Sequence, residues 1–180
     1  MRQKPKLPAH FRQSRPGVCR WCNGAIVEKG KVNKRKTWHA WCLNDYFAHT
    51  DPNYARAAVY KRDRGICQCC NLNLEEIWNK FCALRSIRQS PDEPDTCFES
   101  RLLRAQHELS KLENQLKALG FSDDCIKGRR SLYDSDHIEP VWKSGGLMRF
   151  FSLENQQLLC YPCHKLKSKK DTDDFRRSRK

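Results

Sequence analysis

Apolar residues recur at helical spacing over two long stretches of this chain. Leu74, Ile77, Trp78, Phe81 and Leu84 form one stripe, opened by Asn73 with Glu76 in a capping-box arrangement and broken at Ser90-Pro91. After an acidic linker, Leu102, Ala105, Leu109, Leu112, Leu116 and Leu119 form a second, which predicts a helix from about Glu99 to Leu119 stopped by Gly120. This stripe is too short for a stand-alone coiled coil, so an intramolecular helical hairpin is preferred over a homodimer seam. Two shorter helices follow from local signals: one with His39 and Cys42 near its start, running through Leu43 to about Phe47, and Ala55 to Arg62, the latter with Asp51 as N-cap, Pro52 as first helical residue, Gly65 as stop, and Val59 and Tyr60 inward. Ala25-Ile26-Val27 and Lys31-Val32 read as a small hairpin with Gly24 and Gly30 at its turns. Leu132 to Ile138 and Leu147 to Phe151 read as strands on either side of a loop closed by Gly145-Gly146, and a helix starts at Tyr161. Residues 1–18 show no period and read as a flexible basic arm.

Composition adds a constraint. Much of this 180-residue chain is too polar to bury a large core, which calls for staples, and eleven cysteines with six histidines can supply them. No apolar run marks the N-terminus as a signal peptide, so the expected setting is the reducing cytoplasm, that of the host if the source is viral. Zinc is then favoured over disulfides for the paired cysteines. No stretch is apolar enough for a bilayer, so no membrane partner is expected. The net charge of +14 favours a polyanion such as DNA, because Lys and Arg gain free energy by releasing counterions condensed on phosphate.

The cysteines fall into two sets. Cys19-x2-Cys22 is followed after sixteen residues by His39-x2-Cys42, a spacing that lets four ligands meet in one tetrahedron; His49 is the alternative to His39. Such a site is structural, since four protein ligands leave no position for water. Cys67 and Cys70 form half of a second set, completed by Cys160 and Cys163 across 89 intervening residues, with Cys69 as an alternative ligand. Cys82, Cys97, Cys125 and His107 have no partners at ligand spacing.

The C-terminal part carries the chemistry: Asp136-His137-Ile138-x-Pro140, Gly145-Gly146, Leu153-x-Asn155-x2-Leu158-x-Cys160-x2-Cys163-His164-x2-Lys167. This run resembles the signature of the HNH endonucleases in their zinc-stapled form, over about residues 132–170, with Cys67-x2-Cys70 in the place of the family's upstream knuckle. A separate cysteine-rich module ahead of such a core is also similar to the nuclease end of a eukaryotic fork-remodelling translocase. Phosphodiester hydrolysis needs a base for the attacking water and a cation for charge on phosphate and leaving oxygen. An imidazole suits the first task, and His137 is the expected base. The resemblance implies that Asp136 and His164 hold a single catalytic divalent metal. It also implies that Asn155 either orients His137 or touches that metal. The donor set allows Mg2+, Mn2+, Ni2+ or Zn2+. Lys143, Arg149, Lys165 and Lys167, with Lys127, Arg129 and Arg130 nearby, are expected to hold DNA phosphates.

The expected architecture is α+β: a small zinc-stapled ββα-metal, treble-clef-like nuclease core with an N-terminal Cys3His zinc module and a helical-hairpin insertion. Its segments are the arm (1–18), the zinc module (19–50), a linking helix and first knuckle (51–72), the insertion (73–130), the core (131–175) and a basic tail (176–180). The implied activity is DNA cleavage in a phage, mobile-element, defence or repair setting, alone or with a nuclease-complex partner. A catalytically silent zinc-stapled DNA-binding module is the alternative, and a zinc-dependent protein-interaction adaptor is a third reading.

Overall fold

A computed structural model describes residues 4–128 and 131–179. It is a small α+β fold. A short hairpin, β1 (Val27–Glu28) and β2 (Lys31–Val32), precedes α1 (Ala40–Thr50) and α2 (Pro52–Asp63). Then come α3 (Leu74–Arg85), α4 (Asp95–Ala118) and α5 (Asp123–Gly128). The chain ends with β3 (Tyr133–His137), β4 (Gln156–Cys160) and α6 (Tyr161–Arg177), and β3 and β4 make a two-stranded sheet. The chain divides into two compact units, one of Met1–Arg62 with Ser135–Gln157, the other of Asp63–Asp134 with Leu158–Lys180.

In the first unit, Cys19, Ile26 and Cys42 form a small buried cluster under Trp21 and Trp38. The stretch expected to be a flexible arm takes part in this packing. Residues Ala9–Arg12 form a 3-10 turn, and Phe11 stacks on Tyr46 at 5.4 Å and meets Trp38 edge-on at 5.8 Å. One aromatic residue overrides a basic, proline-rich context because its ring buries a large apolar area. Asp51 caps α2 as expected, its Oδ1 accepting from Asn53 N at 2.8 Å.

The expected strand at Leu147 to Phe151 is absent; Met148–Phe151 is a 3-10 turn packed against α1. Phe150 and Phe151 are both buried, which a strand with one face open to solvent would not allow. The turn is set by Ser144, whose Oγ accepts from Gly146 N at 2.9 Å, and by Gly146 at φ +88°, where a Cβ would also meet the Lys6 side chain at 2.9 Å. The second strand is β4 instead. Its opening residue Gln156 is buried and donates to Phe151 O at 3.2 Å, so a satisfied polar side chain occupies a core position.

In the second unit, α3 and α4 pack as the expected hairpin. Asn73 Oδ1 accepts from Glu76 N at 3.0 Å at the start of α3, and Arg85 reaches Glu113 at 3.7 Å across the pair. Phe81 (1% exposed) packs in the core with Leu112 and Leu116 also buried, so the leucine stripe is used within the chain. Truncating Phe81 to alanine is expected to cost about 3–5 kcal/mol, read as a lowered denaturant midpoint at unchanged zinc content. A helix not foreseen, α5, adds the buried pair Cys125 and Ile126. Helix α6 runs through Arg177, so the expected basic tail at 176–180 begins as helix among the described residues.

Candidate metal centres

Two groups of donor atoms converge. Cys19, Cys22, His39 and Cys42 form one in the first unit, and Cys67, Cys70, Cys160 and Cys163 form the other in the second; within each, the ligand atoms all lie within 4.8 Å of one another. Bonds of about 2.3 Å at the tetrahedral angle span about 3.8 Å. The Cys70–Cys160 sulfur separation is 3.7 Å, and His39 Nδ1 lies 3.4 Å from Cys22 Sγ and 3.7 Å from Cys42 Sγ. These donor sets fit zinc.

The two groups are built alike. In each knuckle the first cysteine's N–H donates five residues ahead, Cys19 to Gly24 O at 2.8 Å and Cys67 to Leu72 O at 2.9 Å. Its carbonyl accepts from an asparagine in the left-handed region, Asn23 and Asn71, both at φ 59°. The flanking bridges Val18 to Ala25 and Ile66 to Asn73 correspond as well. The third ligand is in both cases the N-cap of a helix, His39 for α1 and Cys160 for α6, and the fourth lies three residues on. That N-cap residue's N–H points at the first sulfur, at 3.5 Å for Cys19 and 3.2 Å for Cys67. Each group is therefore a knuckle, a two-stranded sheet and a helix start, and the second differs by having α3–α5 inserted after its knuckle. The shared sequence signal is only Cys-x2-Cys-Asn, too short to reveal the correspondence alone.

His39, and not His49, faces the thiols. Its Nε2 bonds to Ala25 O at 3.2 Å, which leaves Nδ1 for a metal, whereas His49 Nδ1 bonds to Asp45 O at 2.7 Å. Cys69 is exposed and stands outside the converging set. Thiol acidity divides the same way in both groups. Burial pushes Cys19 up, but the N–H groups of Cys22, His39 and Trp21 outweigh it and bring the thiol down to about 6. Cys67 is likewise brought down to about 7, against burial, by N–H groups of Cys160, Cys70 and Cys69. Burial, then the neighbouring thiols, pushes Cys42 up to about 12; burial also raises Cys160 to about 12 and Cys163 further. One thiolate forms readily and the next ones are opposed by it, a conflict that a divalent cation removes.

The remaining candidate residues lie around β3 and α6. Asp136 and His137 belong to the first unit, where the His137 ring meets Phe151 edge-on with centroids 6.2 Å apart. Asn155 commits its side chain to the backbone just beyond His137. Its Oδ1 accepts from Glu139 N at 2.8 Å, and its Nδ2 donates to Glu139 O at 2.9 Å and Phe150 O at 2.8 Å, while Ile138 N donates to Asn155 O at 2.7 Å. Arg62, which the sequence did not single out, donates to Leu153 O and Gln156 O, both at 2.6 Å, and braces the residues on either side of Asn155. Asn155→Ala, which removes all three of these side-chain bonds, is expected to lower the melting temperature measured by circular dichroism.

His164 lies in the second unit, in the first turn of α6. Its Nδ1 is 3.4 Å from Asp134 Oδ2 and its Nε2 is 3.3 Å from Ser168 Oγ. Among the expected phosphate contacts, Lys143 lies over the Trp142 ring at 5.3 Å and Arg149 over Phe150 at 5.1 Å, whereas Lys167 is paired with Asp171 at 2.6 Å. Lys165 is exposed on α6, and Arg129 and Arg130 lie outside the described residues.

The elements and centres together define a small α+β protein with two cysteine-rich groups that could bind zinc. No family model matches the chain, and no solved structure does. It is similar to DNA annealing helicase and endonuclease ZRANB3 of Bos taurus, at 27% identity over 155 residues covering 82% of this chain and 13% of the relative. The Homo sapiens relative of that name is 24% identical over 153 residues (82% and 13%), and that of Mus musculus 25% over 167 (90% and 14%). The chain thus spans only a small part of the length of the curated relatives it matches. No helix among the described residues is long and apolar enough to cross a membrane.

Proposed function

We propose that this chain is a metal-dependent DNA endonuclease module of the HNH type. The observation that carries this reading is the Asn155 clamp. A side chain making two backbone bonds to Glu139, two residues from His137, and a third to Phe150 O gives that imidazole a fixed place, which a general base requires. The relatives' name includes an endonuclease, and their similarity covers 82–90% of this chain.

In this reading His137 takes the proton of the attacking water, and Asn155 holds the backbone that bears it. Asp136 and His164 would hold one divalent cation, which would supply positive charge for the scissile phosphate and the departing 3′ oxygen. Lys143, Arg149 and Lys165 bind phosphates and set register without reading bases. The products are 5′ phosphate and 3′ hydroxyl ends. Both zinc groups act by holding the fold, since each has four protein ligands.

The test is cleavage of supercoiled plasmid by purified protein, first in EDTA and then with Mg2+, Mn2+ or Ni2+. Nicking or linearisation only when a divalent ion is present is expected. Salt-dependent binding without cleavage under every ion would replace this reading with the silent DNA-binding module. Binding that ignores salt would favour the protein-interaction adaptor.

A further inference from the structure

We propose that the N-terminal zinc module binds single-stranded DNA, with the indole of Trp41 as the platform on which an unpaired base stacks. The proposal rests on the reading above that the chain acts on DNA, and adds to it a contact outside the residues named there. Of the five tryptophans, Trp41 alone is exposed, at 69%, although burying an indole is among the larger apolar gains open to a small fold. Trp38, three residues earlier, packs instead against Phe11 and Tyr46. Trp41 sits in the first turn of α1, and its ring lies on the His39 imidazole, with centroids 4.4 Å apart and planes 9° from parallel. With that face covered, exposure of this extent leaves the other face of the indole to solvent.

The backing ring is itself fixed. His39 Nε2 is held by Ala25 O at 3.2 Å and Nδ1 faces Cys22 and Cys42, so zinc in this group would lock the imidazole and, through it, the orientation of the indole. A rigid aromatic face loses little freedom when a base stacks on it, and every base has a π-face to offer. The charge of the module selects a nucleic acid over an apolar peptide. Lys29, Lys31, Lys34, Arg35 and Lys36 are all exposed within eight residues that contain no acid, and the run ends five residues before Trp41. Lys36 is engaged by Glu28, whereas Lys29, Lys31, Lys34 and Arg35 make no ion pair among the described residues. On α1 the carboxylate one turn beyond Trp41, that of Asp45, is taken by Trp21 Nε1 and His49. Such a basic run gains by releasing counterions from phosphate, a gain that a neutral apolar partner does not offer.

The experiment measures, by fluorescence anisotropy, binding of a labelled oligothymidylate and of a duplex of equal length to the zinc-loaded full chain with no other divalent ion added. Trp41→Ala is expected to weaken single-strand binding about five- to 150-fold, with duplex binding and zinc content unchanged, while Trp41→Phe keeps most of the affinity. Lys34→Gln combined with Arg35→Gln is expected to reduce the salt slope of single-strand binding by about 1.4. Oligothymidylate binding by Trp41→Ala at the parent affinity would overturn the proposal and leave the indole to a protein partner. Equal losses on single strand and duplex would overturn it too, as would a parent that does not bind oligothymidylate. If Trp41→Ala loses zinc, the unmodified sequence carrying 5-fluorotryptophan decides. Movement of the Trp41 fluorine resonance on adding oligothymidylate supports stacking, and a still resonance beside others that move overturns it. Single-strand binding that depends on Trp41, in a protein that cuts no plasmid under any ion, would uphold this site while removing the nuclease reading.

Discussion

Cys163→Ser is expected to lower the zinc content from two ions per chain to one and to unfold the unit built on Asp63–Asp134 and Leu158–Lys180. Cys163 supplies one of four sulfurs that join the knuckle at Cys67 to the start of α6, so its loss opens the only metal staple among the described residues of that unit. Structural zinc contributes roughly 10–16 kcal/mol to small sites, as much as the whole stability of a typical domain of about 5–15 kcal/mol. The α3–α4 core does not replace it, because β4 and the first turn of α6 reach the knuckle through the metal group, through Cys160 N to Cys67 Sγ at 3.2 Å and through Gln68 N to Leu158 O at 2.9 Å. Metal analysis by mass spectrometry and thermal melting followed by circular dichroism read the effect directly. Cys82→Ser and Cys97→Ser, at exposed positions outside both groups, serve as controls with little expected change. Two zinc ions and an unchanged melt in Cys163→Ser would refute the four-cysteine grouping.

His137→Ala is expected to reduce plasmid cleavage by roughly 10²–10⁴-fold, the usual contribution of a positioned general base, or about 2.7–5.5 kcal/mol of barrier. Stability, zinc content and DNA affinity should stay near the parent values. The imidazole meets Phe151 edge-on, while the loop it sits beside is held by Asn155. Cleavage at the parent rate would remove His137 from the reaction. Unfolding of the variant would instead make the imidazole a structural residue, and His137→Gln would then separate the two roles by keeping a polar side chain of similar reach.

How much of this was legible depended on which force set each element. The α3–α4 hairpin was readable because its apolar spacing and its Asn73 cap agree with its packing. Both ligand sets were readable because metal geometry restricts spacing so tightly. Strand β4 was hidden by Gln156, whose burial depends on a bond to Phe151 O that only the folded chain supplies. The Leu147 to Phe151 stretch was misread because apolar content indicates burial without fixing the period. Helix α5 is too short to display a period, and Phe11 acquires its role from aromatic partners distant in sequence.

The insertion of α3–α5 between a knuckle and its helix sets an order of assembly. The first group closes over sixteen residues between its ligand pairs and the second over 89. For flexible chains that difference costs the second closure about 1.5 kcal/mol more in entropy, and the long-range contact is correspondingly slower to find. The N-terminal group is therefore filled first when zinc is scarce, and the second captures its ion once α3–α5 has folded and shortened the span. A chain short of metal would hold its N-terminal clip while the segment bearing His164 remained unformed, so zinc supply would govern when the second unit first exists.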